Sequence, residues 1–318
     1  MLVVKKYLNL KVIIAVLILT VIIIIYAIPA KQKNFFELYG KKDKVSESLK
    51  KFQKKTVKFI EMNGVRWKYF SGGTGDKTIL FLHGMGGAYD IWWQQVDFFE
   101  KKYRIITYTL PKEIDNLEDA SNGILKILDN EKVGNFYLTG TSMGGYIAQY
   151  LLQKIPDRID KIVLSNTFPP NHIMLEENKF KSKIVPLLPE ILIAKLGEKQ
   201  LKEKLIPAAE NSKLLAAFLP SLPFSKKQFV NRYYVVIDYF KVIPDDPNIK
   251  RIPKLIIESD NDPLVNKELR EKLKNLYSGN TSIYTFHNKG HFPYINAADE
   301  YNRVLQKFFE EKNNLSGK

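Results

Sequence analysis

The stretch "LTGTSMGGYIAQ", residues 138–149, sets Ser142 between Gly140 and Gly144, with an apolar run before it and a helix-forming run after it. Gly140-Thr141-Ser142-Met143-Gly144 fits the pattern G-x-S-x-G, in which a strand turns sharply into a helix and lifts the serine hydroxyl clear at the helix head. The glycines have a physical reason: the turn strains the serine backbone, and a side chain on either neighbour would collide with adjacent strands. Ser142 is therefore the candidate nucleophile.

Outward from this turn, strand-like apolar runs alternate with helical stretches. "TILFLHG" precedes a helix near Trp92 to Lys101, "YRIITYTL" one near Asn116 to Asp129, and "NFYLTG" one from Gly144 to Lys154. "KIVLSNTF" leads into a Pro-punctuated helical insert at about 169–250, and "KLIIESD" and "SIYTFHN" follow, each with a helix after it. Such alternation predicts an α/β fold with a mostly parallel sheet covered on both faces. Sites in such sheets lie beyond the carboxyl ends of the strands. Ahead of the alternation, "TVKFIEM" and "VRWKYFS" flank Asn63-Gly64, a hairpin signal.

The N-terminus reads differently. Lys5 and Lys6 precede an uncharged apolar run from Val12 to Ile28, long enough for a membrane-spanning helix when flanking residues are included. A cleaved signal is the rival, but cleavage after Ala27 or Ala30 would place Ile25 or Ile28 where a small residue is wanted. The expected organisation is a transmembrane anchor at 8–30, a basic stalk at 31–55 with a solvated helix, one domain at 56–312 with its insert, and a polar tail at 313–318. Lysines flank the apolar run on both sides and leave its orientation open; an extracytoplasmic body is the working expectation.

With 318 residues, 45% hydrophobic and 26% charged, the chain has the make-up of a folded globular protein. The net charge of +15 comes from lysines scattered over every segment, without an aromatic-plus-basic motif, which argues against nucleic acid as a partner. Attraction to an anionic membrane surface fits the same charge. The chain has no cysteine, so it has neither disulfides nor thiolate metal sites, and no lipid-modified cysteine.

A serine nucleophile needs a base, and the base an orienting carboxylate. Of the four histidines, His291 in "NKGHFPY" lies just beyond the last expected strand and is the candidate base, with His287 second. His172 reads as a surface residue of the insert and His83 as a brace. "LIIESDNDPLV" offers Glu258, Asp260 and Asp262; Asp262 is the chosen acid and Asp260 the alternative, while a helix-capping turn is the structural reading of the same residues. The chain order serine, acid, histidine is the one this motif predicts. "FLHGMGG", residues 81–87, could supply the backbone N–H of Met85 opposite that of Met143 to hold an oxyanion. Neither a dinucleotide fingerprint nor a P-loop is present, and no cofactor or metal is expected.

Together "FLHGMGG", "GTSMGG", "SDNDPLV" and "KGHFPY" resemble the α/β-hydrolase family over about residues 56–312, and "GTSMGGYIAQ", "LSNTF" and "FPYI" are similar to its maspardin-like branch. "TLPKEID" and Ser259 depart from the family's usual pattern. The resemblance implies Ser142 as nucleophile, Asp262 as acid, His291 as base, an oxyanion hole from Met85 and Met143, and a helical lid at the insert. Apolar pieces such as "LLAAFLP" and "QFVNRYYVVIDYFKV" suit an apolar or lipid-like ester substrate. The expectation is a membrane-anchored serine hydrolase of esters or thioesters. The alternatives are an amidase, peptidase or carbon–carbon hydrolase using the same triad, or a non-catalytic adaptor binding a protein.

Overall fold

A computed structural model describes residues 2–311, the side chains at 2–9, 173–175 and 177 excepted. The tail expected at 313–318 lies outside the described residues.

The hairpin falls where Asn63-Gly64 predicts it. Strands β1 (Lys58–Met62) and β2 (Val65–Gly72) pair antiparallel, and the two turn residues take φ of 51° and 75°, as a two-residue hairpin turn of the primed type requires. Then follow β3 (Thr78–Leu82), β4 (Arg104–Thr109), β5 (Phe136–Thr141), β6 (Ile159–Ser165), β7 (Lys254–Ser259) and β8 (Thr281–Phe286). They form one sheet in the order β1-β2-β4-β3-β5-β6-β7-β8. β3 through β8 run parallel, and β2 joins β4 antiparallel. Every residue of β3 and of β7 is buried, which explains the uninterrupted apolar stretches Ile79–Leu82 and Leu255–Ile257 in place of alternation.

Helix α1 (Leu2–Ala27) carries the apolar run. Its segment Leu10–Ala27 is exposed throughout and is long and apolar enough to cross a membrane, about 27 Å at the helical rise. Next come α2 (Phe35–Tyr39) and α3 (Lys44–Gln53), in the segment expected to be a solvated stalk. The structure corrects that expectation. Phe35, Leu49 and Phe52 are buried in the core on one face of the sheet, and Asp43 and Ser46 close a capping box at the start of α3. The lysines of α3 lie on its outer side while Ser46, Leu49 and Phe52, three residues apart, form the inner stripe. The body of the protein thus begins well before Thr56.

Helices α4 (Trp93–Phe99), α5 (Leu117–Asn130) and α6 (Met143–Lys154) follow β3, β4 and β5 in turn. The insert between β6 and β7 holds α7 (His172–Ile184), α8 (Glu190–Gln200), α9 (Ile206–Ala208), α10 (Lys213–Phe218), α11 (Lys226–Ile237) and α12 (Pro247–Lys250), with a wide π turn joining α8 to α9. The chain closes with α13 (Lys267–Leu276), α14 (Pro293–Asn296) and α15 (Ala298–Glu310). Ile124, Ile147, Leu151 and Leu273 place α5, α6 and α13 against one sheet face. Trp93, Val96, Leu305 and Phe308 place α4 and α15, beside α3, against the other. From β3 the chain goes to β4 on one side, and from β5 to β6 on the other. The crevice beyond the ends of β3 and β5 is therefore the switch point where ligands bind in such sheets.

Candidate active site

β5 ends at Thr141 and α6 starts at Met143, so Ser142 alone makes the turn. Its φ of 54° and ψ of −123° lie where only glycine is at ease. A side chain on Gly140 would meet the carbonyl oxygen of Gly144 at 2.3 Å, and one on Gly144 would meet that of Leu82 at 2.3 Å. The strained backbone is pinned on both sides. Ser142 N–H donates to Ser165 O at 3.0 Å, and Ser142 O accepts from Tyr146 N–H at 3.0 Å and from the Thr167 hydroxyl at 2.7 Å.

Asp262 and His291 meet each other, and His291 lines the same cavity as Ser142. Nδ1 of His291 lies 2.8 Å from Asp262 Oδ2 and 3.0 Å from Oδ1, and both residues are buried. Oδ2 also accepts from Asn166 Nδ2 at 2.9 Å, while Oδ1 accepts from the backbone N–H groups of Leu264 at 2.8 Å and Val265 at 3.1 Å. Burial pushes the Asp262 carboxyl up, but the adjacent His291 and these donors outweigh it and hold the group below its ordinary value. An acceptor-only carboxylate at Nδ1 places the imidazole proton there and leaves Nε2 with its lone pair. Asp262 is not a helix cap, since Asn266 caps α13.

The runner-up residues also pair. His287 Nδ1 lies 2.7 Å from Asp260, but its side chain is 76% exposed and faces solvent. His172 stacks on Tyr239 within the insert, and Glu258 accepts from Lys274 at 3.1 Å. His83 is wholly enclosed: Nε2 accepts from Leu110 N–H at 2.9 Å and Nδ1–H faces Gly84 O at 2.7 Å. Burial, with Arg232 nearby, pulls its pKa down to about 3, so the ring is neutral and both nitrogens are engaged.

Sequence reasoning missed two residues. Asn166, with φ of 43°, follows the end of β6 and ties Asp262 to the sheet; an asparagine just past a buried parallel strand was the available signal. Arg232 of α11 is fully buried, and among the described residues no carboxylate is paired with it. Its guanidinium donates to Met85 O at 2.7 Å, Gly87 O at 2.8 Å and Leu110 O at 2.8 Å. Burial lowers its pKa to about 9, which still leaves it charged at neutral pH. A lone charge inside the apolar run "QFVNRYYVV" was the clue.

Ser142, Met85 and His291 line one cavity of about 430 Å³, walled largely by apolar insert side chains such as Ile193, Leu201 and Phe229. Met143 opens α6, and the first N–H groups of a helix have no acceptor within it. Among the described residues, no three His, Asp or Glu side chains gather where a metal ion could sit.

A family model described as the alpha/beta hydrolase fold matches residues 77–298. The chain is 23% identical over 262 residues to the pimeloyl-[acyl-carrier protein] methyl ester esterase of Hamiltonella defensa, covering 76% of this chain and 96% of that one. It is 26% identical to maspardin of Danio rerio over 235 residues, 72% of each chain. With some other relatives the match spans only 30% or 42% of the relative's length. The crystal structure of an enol-lactonase from Burkholderia xenovorans superposes with a TM-score of 0.67 at 18% identity, over 80% of this chain and 100% of that one.

Proposed function

The chain belongs to the α/β-hydrolase family, and on that premise we propose that it is a membrane-anchored serine hydrolase cleaving ester or thioester bonds of apolar substrates through an acyl-enzyme. One observation carries the reading: the buried Asp262–His291 pair and the strained Ser142 open onto the same apolar cavity. The esterase named among the relatives is in keeping with it.

Ser142 Oγ attacks the acyl carbonyl while His291 Nε2 takes its proton. Asp262 holds the imidazole in the Nδ1–H tautomer and faces the positive charge that forms on it. The N–H groups of Met85 and Met143 receive the oxyanion, which donors fixed in a dry site stabilise more than water does. The tetrahedral adduct expels the alcohol or thiol, which leaves with the proton from His291. Water then attacks the acyl-enzyme through the same base and frees the acid. In this reading residues 8–30 are the anchor, the hydrolase body starts near residue 31, and the insert at about 169–250 is its lid.

Labelling by a fluorophosphonate probe tests the proposal. Wild type should label, and Ser142→Ala and His291→Ala should not. A folded wild type that takes no label, and cleaves no soluble ester after the insert has been nicked by protease, would sink the enzyme reading in favour of the adaptor.

A further inference from the structure

The exit of α1 is fastened to the insert. The Tyr26 hydroxyl donates to Leu187 O, and Ala30 N–H donates to Glu190 Oε1 at 2.9 Å. Gln32 Nε2 donates to Ser221 O at 2.6 Å, and Lys33 pairs with Glu198 at 2.7 Å. Ala30, Lys31 and Gln32 form part of the wall of the cavity that holds Ser142 and His291. Three residues of extended chain reach at most about 11 Å, so the cavity wall at Ala30 lies within that distance of the last residue of α1. The headgroup layer on each side of a bilayer is roughly 5–8 Å deep. A cavity so tethered sits at the edge of that layer whenever α1 spans a membrane.

The surface beside the tether matches. Phe180 and Leu187 are 72% and 68% exposed, and Ile184, Leu192 and Leu196 are exposed with them along α7 and α8. Lys179, Lys181, Lys183, Lys195 and Lys199 stand exposed on the same helices. Apolar side chains flanked by lysines are the make-up of elements that lie in the interfacial layer, where the lysine stems reach back to anionic headgroups.

We propose that this edge of the insert is seated in the bilayer that holds α1, and that the cavity draws its substrate from that leaflet. The substrate class is a single-chain amphiphile, an ester or thioester whose acyl chain enters the apolar cavity while its head stays in the interface. The proposal rests on the anchor and hydrolase readings above.

The full-length protein in vesicles of phosphatidylcholine and phosphatidylglycerol, with bromines on the acyl chains, tests the seating. The native Trp67, Trp92 and Trp93 are fully buried and give a constant background. Fluorescence of Leu187→Trp should be quenched, while that of Ile283→Trp, exposed on β8, should not. For substrate entry, the double variant Phe180→Glu with Leu187→Glu should lose about tenfold in hydrolysis of 1-oleoylglycerol held in the vesicles. Its hydrolysis of soluble p-nitrophenyl butyrate should stay within about twofold of wild type.

Quenching that is equal at the two sites, or an equal effect of the double variant on both substrates, overturns the proposal; the second result is also what a protein partner covering this edge would give. A wild type that separates from the vesicles, or that cleaves neither ester, refutes the underlying readings instead. A wild type that floats with the vesicles and cleaves the soluble ester, with Leu187→Trp unquenched, refutes this proposal alone.

Discussion

Arg232 and Met85, far apart in sequence, are joined at 2.7 Å, so a helix of the insert holds the carbonyl of the residue whose N–H is assigned to the oxyanion. Two further carbonyls, of Gly87 and Leu110, depend on the same guanidinium. Arg232→Met would leave the buried carbonyls of Gly87 and Leu110 unpaired, each costing about 1–3 kcal/mol, and would free the part-buried carbonyl of Met85. Steady-state kinetics on a soluble ester should show kcat lower by roughly 10²-fold with KM less affected, since a small displacement of the loop misplaces the oxyanion donor. Arg232→Lys should recover only part of it, because an ammonium is a compact point charge and lacks the planar guanidinium fork that spans the carbonyls of Met85, Gly87 and Leu110. Unchanged kinetics in Arg232→Met would show that the loop holds its own shape.

Ser142 stores strain that the fold has to offset. Replacing it by glycine removes the penalty for its φ of 54°, whereas alanine keeps it. Ser142→Gly should therefore be more stable than Ser142→Ala by about 1 kcal/mol in urea unfolding, with both variants inactive. Equal stability would mean the turn is unstrained.

Asp262→Asn should lower kcat by roughly 10⁴-fold while the protein stays folded, because an amide can donate to His291 Nδ1 and favour the wrong tautomer. The measurement is kcat alongside circular dichroism. A loss of less than about tenfold would shift the acid role to another group.

Acid should unfold the protein partly through Glu131. Burial raises its pKa, but hydrogen bonds from Tyr69, Lys58 and Ser71 prevail and bring it down from 4.5 to about 2. Arg104 adds a further contact. A folded-state pKa below the unfolded one means that the unfolded chain binds more protons in this range. This contribution is thus fully present above about pH 4.5 and is lost as the pH falls toward about 2. Asp262, also depressed, acts with the same sign. Unfolding free energies between pH 5 and pH 2, taken by urea titration, should fall less steeply for Glu131→Gln than for wild type. Parallel curves would remove Glu131 from the account.

Truncation tests the anchor proposed for α1 apart from the body. A chain beginning at residue 32 should be released from membranes yet keep Phe35, Leu49 and Phe52 in place. One beginning at Thr56 removes all three; at about 1.5–3 kcal/mol for each buried side chain as an upper bound, it should melt far lower or fail to fold. Equal melting temperatures would mean that α2 and α3 contribute little.

What the sequence made legible was local. The elbow, the hairpin and the buried strands each carry their signal within a few residues, and the structure has them where those signals fall. His291 and Asp262 stood out because each lies just past a strand end, and the fold brings the two into contact. The docking of residues 35–53 was obscured because α3 shows its lysines in every turn, while its contacts lie with Trp93 and the neighbouring core. Arg232 and Asn166 act through partners far along the chain, and no spacing rule encodes those partners. Only the oddity of a charge in an apolar run, or an amide after a strand, marked them.

The strand order also sets a sequence of events during synthesis. β3 finds both its neighbours, β4 and β5, within the first 141 residues, so the middle of the sheet has all its parts before the insert exists. The turn at Ser142 is a later matter, because the acceptor of its N–H is Ser165 and its carbonyl is held by Thr167. β6 meets β7 only after the whole insert has emerged, a long loop whose closure comes late and whose entropy is repaid last. A ribosome halted within the insert would hold six of the eight strands, with the serine in place and neither Asp262 nor His291 yet made.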